Sequence, residues 1–285
     1  MAYSSFKSAN SGRWLLLLAD YRVVVKRFVR WSLHIVGKLI LKINSNFPSL
    51  LELAIQEIQG KGAGAFSVDY EAKTAINFLP QSVRYNPIVL DIGANVGNYS
   101  AAVLRFSPKS TIYAFEPSSV ARRKLEERFI EKDSVRIVPL ALGSTISVGT
   151  LWSDMAGSGM GSLTKRNLTH FGIDFEQSES VEVTTLDTWT SSNRIAPNLI
   201  KMDVEGHELD VLKGGIKTLA SAHVVQFEFG GCNIDTRTFF QDFWYLFTQA
   251  GFVIYRISAA GPIHITHYSE GDECFRTTNF LGVKK

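Results

Sequence analysis

The chain has 285 residues, 45% hydrophobic and 20% charged, with a formal net charge of +3. That length allows one large domain with an appendage, or two small domains, and the composition excludes disordered and low-complexity classes. Two cysteines, Cys232 and Cys274, exclude a disulfide scaffold and a metal-type cysteine cluster, so a reducing compartment, the cytoplasm, is expected.

The charge is uneven. Residues 1–50 carry eight basic side chains against Asp20 alone, a net +7, which leaves about −4 for the rest. Residues 1–12 are small and polar and are expected to be unstructured. From 13 to 43 the pattern is helical. Arg22, Lys26, Arg30, His34, Lys38 and Lys42 recur every four residues, a row that drifts about 40° per step around a helix. No apolar run approaches the roughly 18 residues of a spanning helix. Leu15 to Ala19 is too short for a signal-peptide core and runs into Asp20. The main readings are helices packed on the main domain, or an interfacial helix on an anionic membrane surface anchored by Trp14, Phe28 and Trp31; a spanning helix is the least favoured. The second would put the protein at the inner face of a membrane. No nucleic-acid module accompanies the charge, so no nucleic-acid partner is expected. A helical stretch at Leu50–Ile58 and the run Gly60-Lys61-Gly62-Ala63-Gly64 read as a connector. The expected division is 1–60, a basic helical extension and connector, and 61–285, the main domain.

The main domain begins with a helix at Glu71–Leu79. Ile88 to Ile92 is a short apolar run carrying Asp91, followed by Gly93-Ala94-Asn95-Val96-Gly97 and a helical pattern from Asn98 to Phe106. This reads as a buried strand, a glycine-spaced loop and a helix whose free N–H groups face a polar ligand. Asn95 stands where a third glycine is often found, and Asn tolerates left-handed backbone. A plain tight turn is the alternative. An acid before the loop, and no third glycine, argue against the dinucleotide fingerprint. The spacing is closer to the first motif of S-adenosylmethionine (SAM) methyltransferases. Thr111–Phe115 is a second strand ending in Glu116-Pro117, 25 positions after Asp91. An acid there is suited to two hydrogen bonds from a ribose diol, or to a helix start. A helix over Ser118–Glu131 and a strand over Val135–Val138 complete β-α-β-α-β, half of a doubly wound sheet. In that architecture Leu142, in the loop after the third strand, flanks the adenine.

Val148–Trp152 is a strand. Asp154 to Leu163 is a glycine- and serine-rich loop, read either as a lid or as a surface excursion. Val181–Leu186 is a strand, and Asp187-Thr188-Trp189 begins a short helix. The stretch Asn198 to Asp203 is apolar strand, and a helix runs from near His207 to about Leu219. Asp203, Glu205, His207 and Glu208 crowd one strand-to-helix junction, more ionisable groups than capping requires. Glu228, near the end of the apolar strand Val224–Phe229, is costly if buried unpaired. Asp203 and Glu228, at the ends of adjacent strands, would share a cation or a proton. An aromatic helix over Arg237–Ala250 and strands at Gly251–Ile257 and Thr277–Val283 end the chain.

Taken together, Asp91-Ile92-Gly93-Ala94-Asn95-Val96-Gly97, Phe115-Glu116-Pro117, Leu186-Asp187, Lys201-Met202-Asp203-Val204-Glu205-Gly206-His207-Glu208 and Val211-Leu212-Lys213-Gly214-Gly215 closely resemble the FkbM-type methyltransferases. The match covers roughly Glu71 to Lys285. It implies a class I SAM-methyltransferase fold: an α/β, Rossmann-like, doubly wound sheet of seven strands with only the last antiparallel. It also implies SAM as cofactor and a hydroxyl acceptor on a sugar, glycolipid or polyketide-like small molecule.

On these grounds Asp91, Gly93, Asn95, Gly97, Asn98, Glu116, Pro117 and Leu142 are the candidate cofactor residues. His207 is the first choice of general base, because imidazole ordinarily titrates near neutral pH. Glu205, Asp203 and Glu228 would orient it, replace it, or hold a divalent metal. The sequence defines no metal ligand set, acceptor or oligomeric state. Methylation of nitrogen or carbon, or a non-catalytic SAM-binding module, are the alternatives.

Overall fold

The structure, a computed structural model, describes residues 27, 31–33, 36–37, 47–62 and 67–285. It falls into two compact units, Met1–Ile55 and Gln56–Lys285. Most of the basic segment lies outside the described residues, including Trp14, Phe28 and the first twelve positions. Trp31 is described and exposed. Helix α1 (Phe47–Ile58) covers the helical stretch read before the connector. No helix among the described residues is long and apolar enough to cross a membrane.

In the larger unit the chain runs as α2 (Val68–Phe78), β1 (Ile88–Ile92), α3 (Asn98–Phe106), β2 (Thr111–Phe115), α4 (Ser119–Phe129) and β3 (Val135–Val138). β4 (Ala141–Gly143), β5 (Ser147–Ser153), β6 (Gln177–Thr185), α5 (Leu186–Asn193), β7 (Leu199–Met202), α6 (Glu208–Lys213) and α7 (Ile216–Leu219) follow. β8 (Val224–Phe229), α8 (Cys232–Thr236), α9 (Phe240–Gln249), β9 (Phe252–Ser258), β10 (Gly261–Ile265) and β11 (Thr278–Lys284) complete it. Local chemistry sets several boundaries. The Ser67 hydroxyl accepts the Tyr70 N–H at the start of α2, and Ser118 does the same for Ala121 at α4.

The main sheet has the order β10-β9-β11-β8-β7-β1-β2-β3. β7, β1, β2 and β3 run parallel, and the apolar runs of β7, β1 and β2 are buried on both faces. From β1 the chain winds one way to β2 and β3, and the other way to β7 and β8. That reversal opens a crevice at the carboxyl ends of β1, β2 and β7. On one face Phe227 stacks with Phe243, Phe247 and Phe280 at 4.9, 5.0 and 5.4 Å between ring centres, so the aromatic helix is core. On the other, Ala72, Ala75 and Ile76 of α2 pack with Ala102 and Val103 of α3.

Four features differ from the expectations. The main sheet has eight strands, because the two residues Ala259-Ala260 return the chain as β10, paired Gly261 to Ser258 and antiparallel to β9. Two strands, β10 and β11, therefore oppose the parallel set. The segment around Val181–Leu186 does not join the main sheet. It forms, as β6, a separate three-stranded sheet of order β4-β6-β5. The aromatic helix begins at Phe240, where the Asp242 carboxylate caps the Phe239 N–H at 3.0 Å and Glu273 accepts the N–H groups of Phe240 and Gln241. Arg237, at φ +56°, ends the short α8 instead.

The fourth difference is a break at Gly214-Gly215, which divides the expected helix into α6 and α7. The Gly214 carbonyl accepts the Asp187 N–H, and a Cβ on Gly214 would overlap the Gly143 carbonyl oxygen. Backbone cannot yield cheaply, so Gly214→Ala is expected to destabilise the protein by about 1–3 kcal/mol. Urea unfolding would read this as a lowered midpoint at unchanged slope; an unchanged midpoint would contradict the packing argument.

Candidate active site

The glycine-spaced loop turns over the end of β1. The N–H groups of Gly93 and Ala94 both bond the Phe115 carbonyl, which ties the loop to the end of β2. Gly93 (φ +76°) approaches β7 so closely that a Cβ would overlap the Asp203 carbonyl oxygen. Asn95 does take the left-handed conformation, at φ +48°. Its N–H donates to Glu116 Oε2 at 2.8 Å, and its side-chain Oδ1 is buried with no partner among the described residues. Gly97 (φ +81°) starts α3, and a Cβ there would meet Phe129 and Leu125. Its missing side chain serves helix packing. Asn98 accepts from Arg128 at 2.7 Å. Asp91 is fully buried, accepts the Ser100 hydroxyl at 2.6 Å and lies 3.5 Å from Lys201 Nζ.

A cavity of about 600 Å³, counting the space open to solvent, lies beside this loop. Gly93, Asn95, Glu116 and Pro117 line one side, and Leu140 and Leu142 the apolar wall. The loop around Ser158–Leu163 covers it, so the glycine-rich stretch is part of the site wall. Asp203, Val204 and His207 border it from the β7 end. Glu116 is buried; its Oε1 accepts the Ser118 N–H at 2.8 Å and its Oε2 the Asn95 N–H. Burial pushes its carboxyl above the usual range, and these two N–H donors hold it back. Asp91, Gly97 and Asn98 do not line this cavity.

At the junction after β7 the four ionisable groups separate. Glu208 is completely buried and accepts the N–H groups of Val204 (2.8 Å) and Gly206 (3.1 Å), so it holds the turn. Glu205, itself at φ +53°, is pinned by Arg166 at 2.8 Å, and Arg166 also reaches Asp235 at 3.1 Å. Burial, then the nearby Asp203, push the Glu205 carboxyl up to about 8 against the pull of Arg166. His207 Nε2 stands 2.9 Å from the Thr164 hydroxyl, and Nδ1 3.3 Å from Asp210. That contact with His207 holds the Asp210 carboxyl below its ordinary range. Asp203 is partly exposed and lies 3.4 Å from Lys201.

A second cavity of about 650 Å³ lies on the other side of the loop. It shares Gly93, Asn95 and Asp203 with the first, and is otherwise lined by Glu71, Asn98, Tyr99, Lys201, Glu228 and Asn279, together with Val68 and Ala94. Asp203 and Glu228 thus meet at one cavity. His207 borders only the first of the two, and Glu205 lines neither. Burial, with Asp203, Glu205 and Glu208 adding to it, drives the Glu228 carboxyl well above its ordinary range. Among the described residues no three His, Cys, Asp or Glu side chains converge as a metal site would require. Three site residues were not anticipated. Lys201 had a signal, a lone cation in an apolar strand; Glu71 had a weaker one, an acid in a helix of buried neighbours. Arg166 had none.

A parallel sheet with a glycine loop at its switch point, a buried acid closing the second strand and an acidic junction after β7 defines a Rossmann-like nucleotide-cofactor domain of the class I methyltransferase type. The description "Methyltransferase FkbM domain" matches residues 91–254, more than half of the chain, and the chain belongs to that family. It is 30% identical over 154 residues to the hexuronic acid methyltransferase AglP of Haloferax volcanii, covering 53% of this chain and 59% of that protein. It is 30% identical over 156 residues to the 2-O-methyltransferase NoeI of Sinorhizobium fredii, covering 50% and 63%. The chain therefore spans about three-fifths of the length of these curated relatives. Among solved structures, FkbM from Methylobacillus flagellatus KT aligns at 16% identity with a TM-score of 0.41, over 84% of this chain and 60% of that one. The N-terminal domain of EvdMO1, crystallised with SAH and D-fucose, aligns at 10% identity and a TM-score of 0.44, over 79% and 85%.

Proposed function

We propose that this protein is a SAM-dependent methyltransferase acting on a hydroxyl oxygen of a sugar, glycolipid or polyketide-like small molecule. The observation that carries the reading is Glu116: a buried carboxylate at the end of β2, facing a cavity bounded by Gly93, Asn95 and an apolar wall. The family supports methyl transfer, and the names of the relatives AglP and NoeI support a sugar acceptor.

SAM, when bound, supplies a methyl group already activated on a sulfonium sulfur. The rest is the work of the chain. Glu116 accepts hydrogen bonds from a ribose diol; each of its oxygens keeps a lone pair beyond those used by Asn95 and Ser118. Pro117, Leu140 and Leu142 hold the purine by apolar contact. Gly93 and Asn95 offer backbone groups and the unused Asn95 Oδ1. Asp91 keeps the loop in place through Ser100 and Lys201. The 158–163 loop excludes water and holds the reacting groups in line, a positioning effect that supplies much of a displacement's acceleration. Two sets of groups flank Asp203 as receivers of the acceptor's proton: His207, backed by Asp210, from the first cavity, and the carboxyls of Glu71 and Glu228 from the second.

Calorimetric titration of the full chain with SAM tests the reading. One site per chain is expected, and folded protein giving no heat would sink it. We further infer that residues 13–43, with their excess of cations, rest on an anionic bilayer and so meet lipid-linked acceptors. Flotation with vesicles containing phosphatidylserine is expected to drop when Arg22, Lys26, Arg30 and Lys38 are replaced by Gln. Equal flotation would remove the inference.

A further inference from the structure

We propose that the second cavity receives the acceptor hydroxyl and that Glu71 takes its proton. The proposal rests on the methyltransferase reading and names a residue which the sequence pattern left unassigned. Gln226 and Glu228 project from the same face of β8, two residues apart, toward α2. The Gln226 amide donates to Glu71 Oε2 at 2.7 Å, and its carbonyl accepts the Tyr99 hydroxyl at 2.8 Å. This fixes the Glu71 side chain, 95% buried, at the cavity wall. Its other oxygen, Oε1, is buried with no partner among the described residues. A carboxylate oxygen left so in a cavity wall calls for a donor from whatever occupies the cavity.

The charges say which donor. Among the described residues Lys201 is the one cation lining the cavity, and it is already shared between Asp91 and Asp203. Asp203, Glu71 and Glu228 therefore leave a surplus of carboxyl groups. Such a wall repels an anion and accepts hydrogen bonds from hydroxyls. The occupant proposed here is a polyhydroxy compound that carries no negative charge at its reacting end. Because Gly93, Asn95 and Asp203 belong to both cavities, a hydroxyl here lies beside whatever the glycine loop holds.

The protonation balance agrees with the geometry. The groups around Glu71 are Lys201 of β7, Asp203 just beyond it, Gln226 and Glu228 of β8, and Tyr99 of α3. Burial raises the Glu71 carboxyl to about 7, with Asp203 adding to the rise and Lys201 and Gln226 opposing it. Near neutral pH it can therefore take up a proton and release it again, as a general base must. Burial and the neighbouring carboxyls also drive Glu228 well above its ordinary range. In the step itself the hydroxyl proton passes to Glu71 Oε1 as the oxygen's electron pair forms the new bond to the methyl carbon. The pair of the broken carbon–sulfur bond stays on sulfur, and the carboxyl later returns the proton to solvent.

The test uses Glu71→Gln and Glu71→Asp in the full chain, with methyl-labelled SAM and a panel of methyl glycosides. With the best glycoside, Glu71→Gln is expected to lower kcat about 100-fold or more. It should leave the SAM dissociation constant within threefold and abolish the rise in rate near pH 7. Glu71→Asp should recover at least tenfold over Glu71→Gln. A carbon-13 NMR titration without SAM should show one glutamate carboxyl titrating near pH 7 that is lost in Glu71→Gln. Retention of more than a third of wild-type kcat in Glu71→Gln, or loss of no such resonance, would overturn the assignment. Wild-type protein that binds SAM but methylates none of the glycosides would count against the acceptor class, while the NMR titration would still decide the state of Glu71.

Discussion

Lys201→Met is expected to destabilise the protein by about 3–5 kcal/mol, a large share of the roughly 5–15 kcal/mol that holds a typical domain folded. Lys201 is 93% buried in the strand beside β1. It lies 3.5 Å from Asp91 and 3.4 Å from Asp203, and it donates to the Gly93 carbonyl at 3.3 Å. Asp91 is completely inaccessible, so removing the cation leaves a buried carboxylate with only the Ser100 hydroxyl for support. Removing one partner of such a pair costs far more than the pair contributes. Asp91→Asn added to Lys201→Met should therefore recover part of the loss. Burial alone would lower the Lys201 amine, but Asp203, Asp91 and Glu71 outweigh it and hold it above its ordinary value. For a raised base the stabilisation is complete below the ordinary lysine value and fades only as pH climbs through the elevated one. The deficit should thus persist across the neutral range. Urea unfolding at pH 6 and pH 8 measures it, and a loss under about 1 kcal/mol at both would contradict the account.

Glu116→Gln is expected to weaken SAM binding by about 30- to 100-fold, roughly 2–3 kcal/mol, while the protein stays folded. The carboxylate accepts two backbone N–H groups with separate oxygens, one from the glycine loop and one from the start of α4. An amide can accept only one of them, and its NH2 would face the other N–H. It also loses the charged acceptor for the ribose diol. Folding should not suffer in proportion, because burial already disfavours the Glu116 charge. For an acid raised in the folded state, stability falls as pH rises from the ordinary carboxyl range through the raised value. Glutamine is spared that loss, so at pH 8 the variant should be nearly as stable as the wild type. Affinity within threefold of wild type would remove Glu116 from the cofactor site.

How far the sequence reaches can be argued from these residues. The strands through Phe229 that enter the main sheet stand within a residue of where their apolar runs put them, since strands buried on both faces leave a continuous signal. Asn95 was legible because few residues other than glycine tolerate its backbone. Gly97 shows the limit: glycine spacing cannot tell close approach to a ligand from close approach to Phe129. Glu71 meets Gln226 across 155 positions, and Arg166 meets Glu205 and Asp235 across 39 and 69. Such pairs are created by the fold, and no local pattern announces them. The helix break at Gly214 has the same origin, since the obstructing carbonyl belongs to Gly143 at the end of β4.

The central claim is methyl transfer to a hydroxyl oxygen, and incubating the full chain with carbon-13 methyl SAM and the glycoside panel tests it most directly. The account predicts a labelled product whose methyl resonance is that of an O–CH3 group on a sugar ring. A methyl on nitrogen or carbon, or no transfer to any acceptor by folded protein that binds SAM, would contradict it.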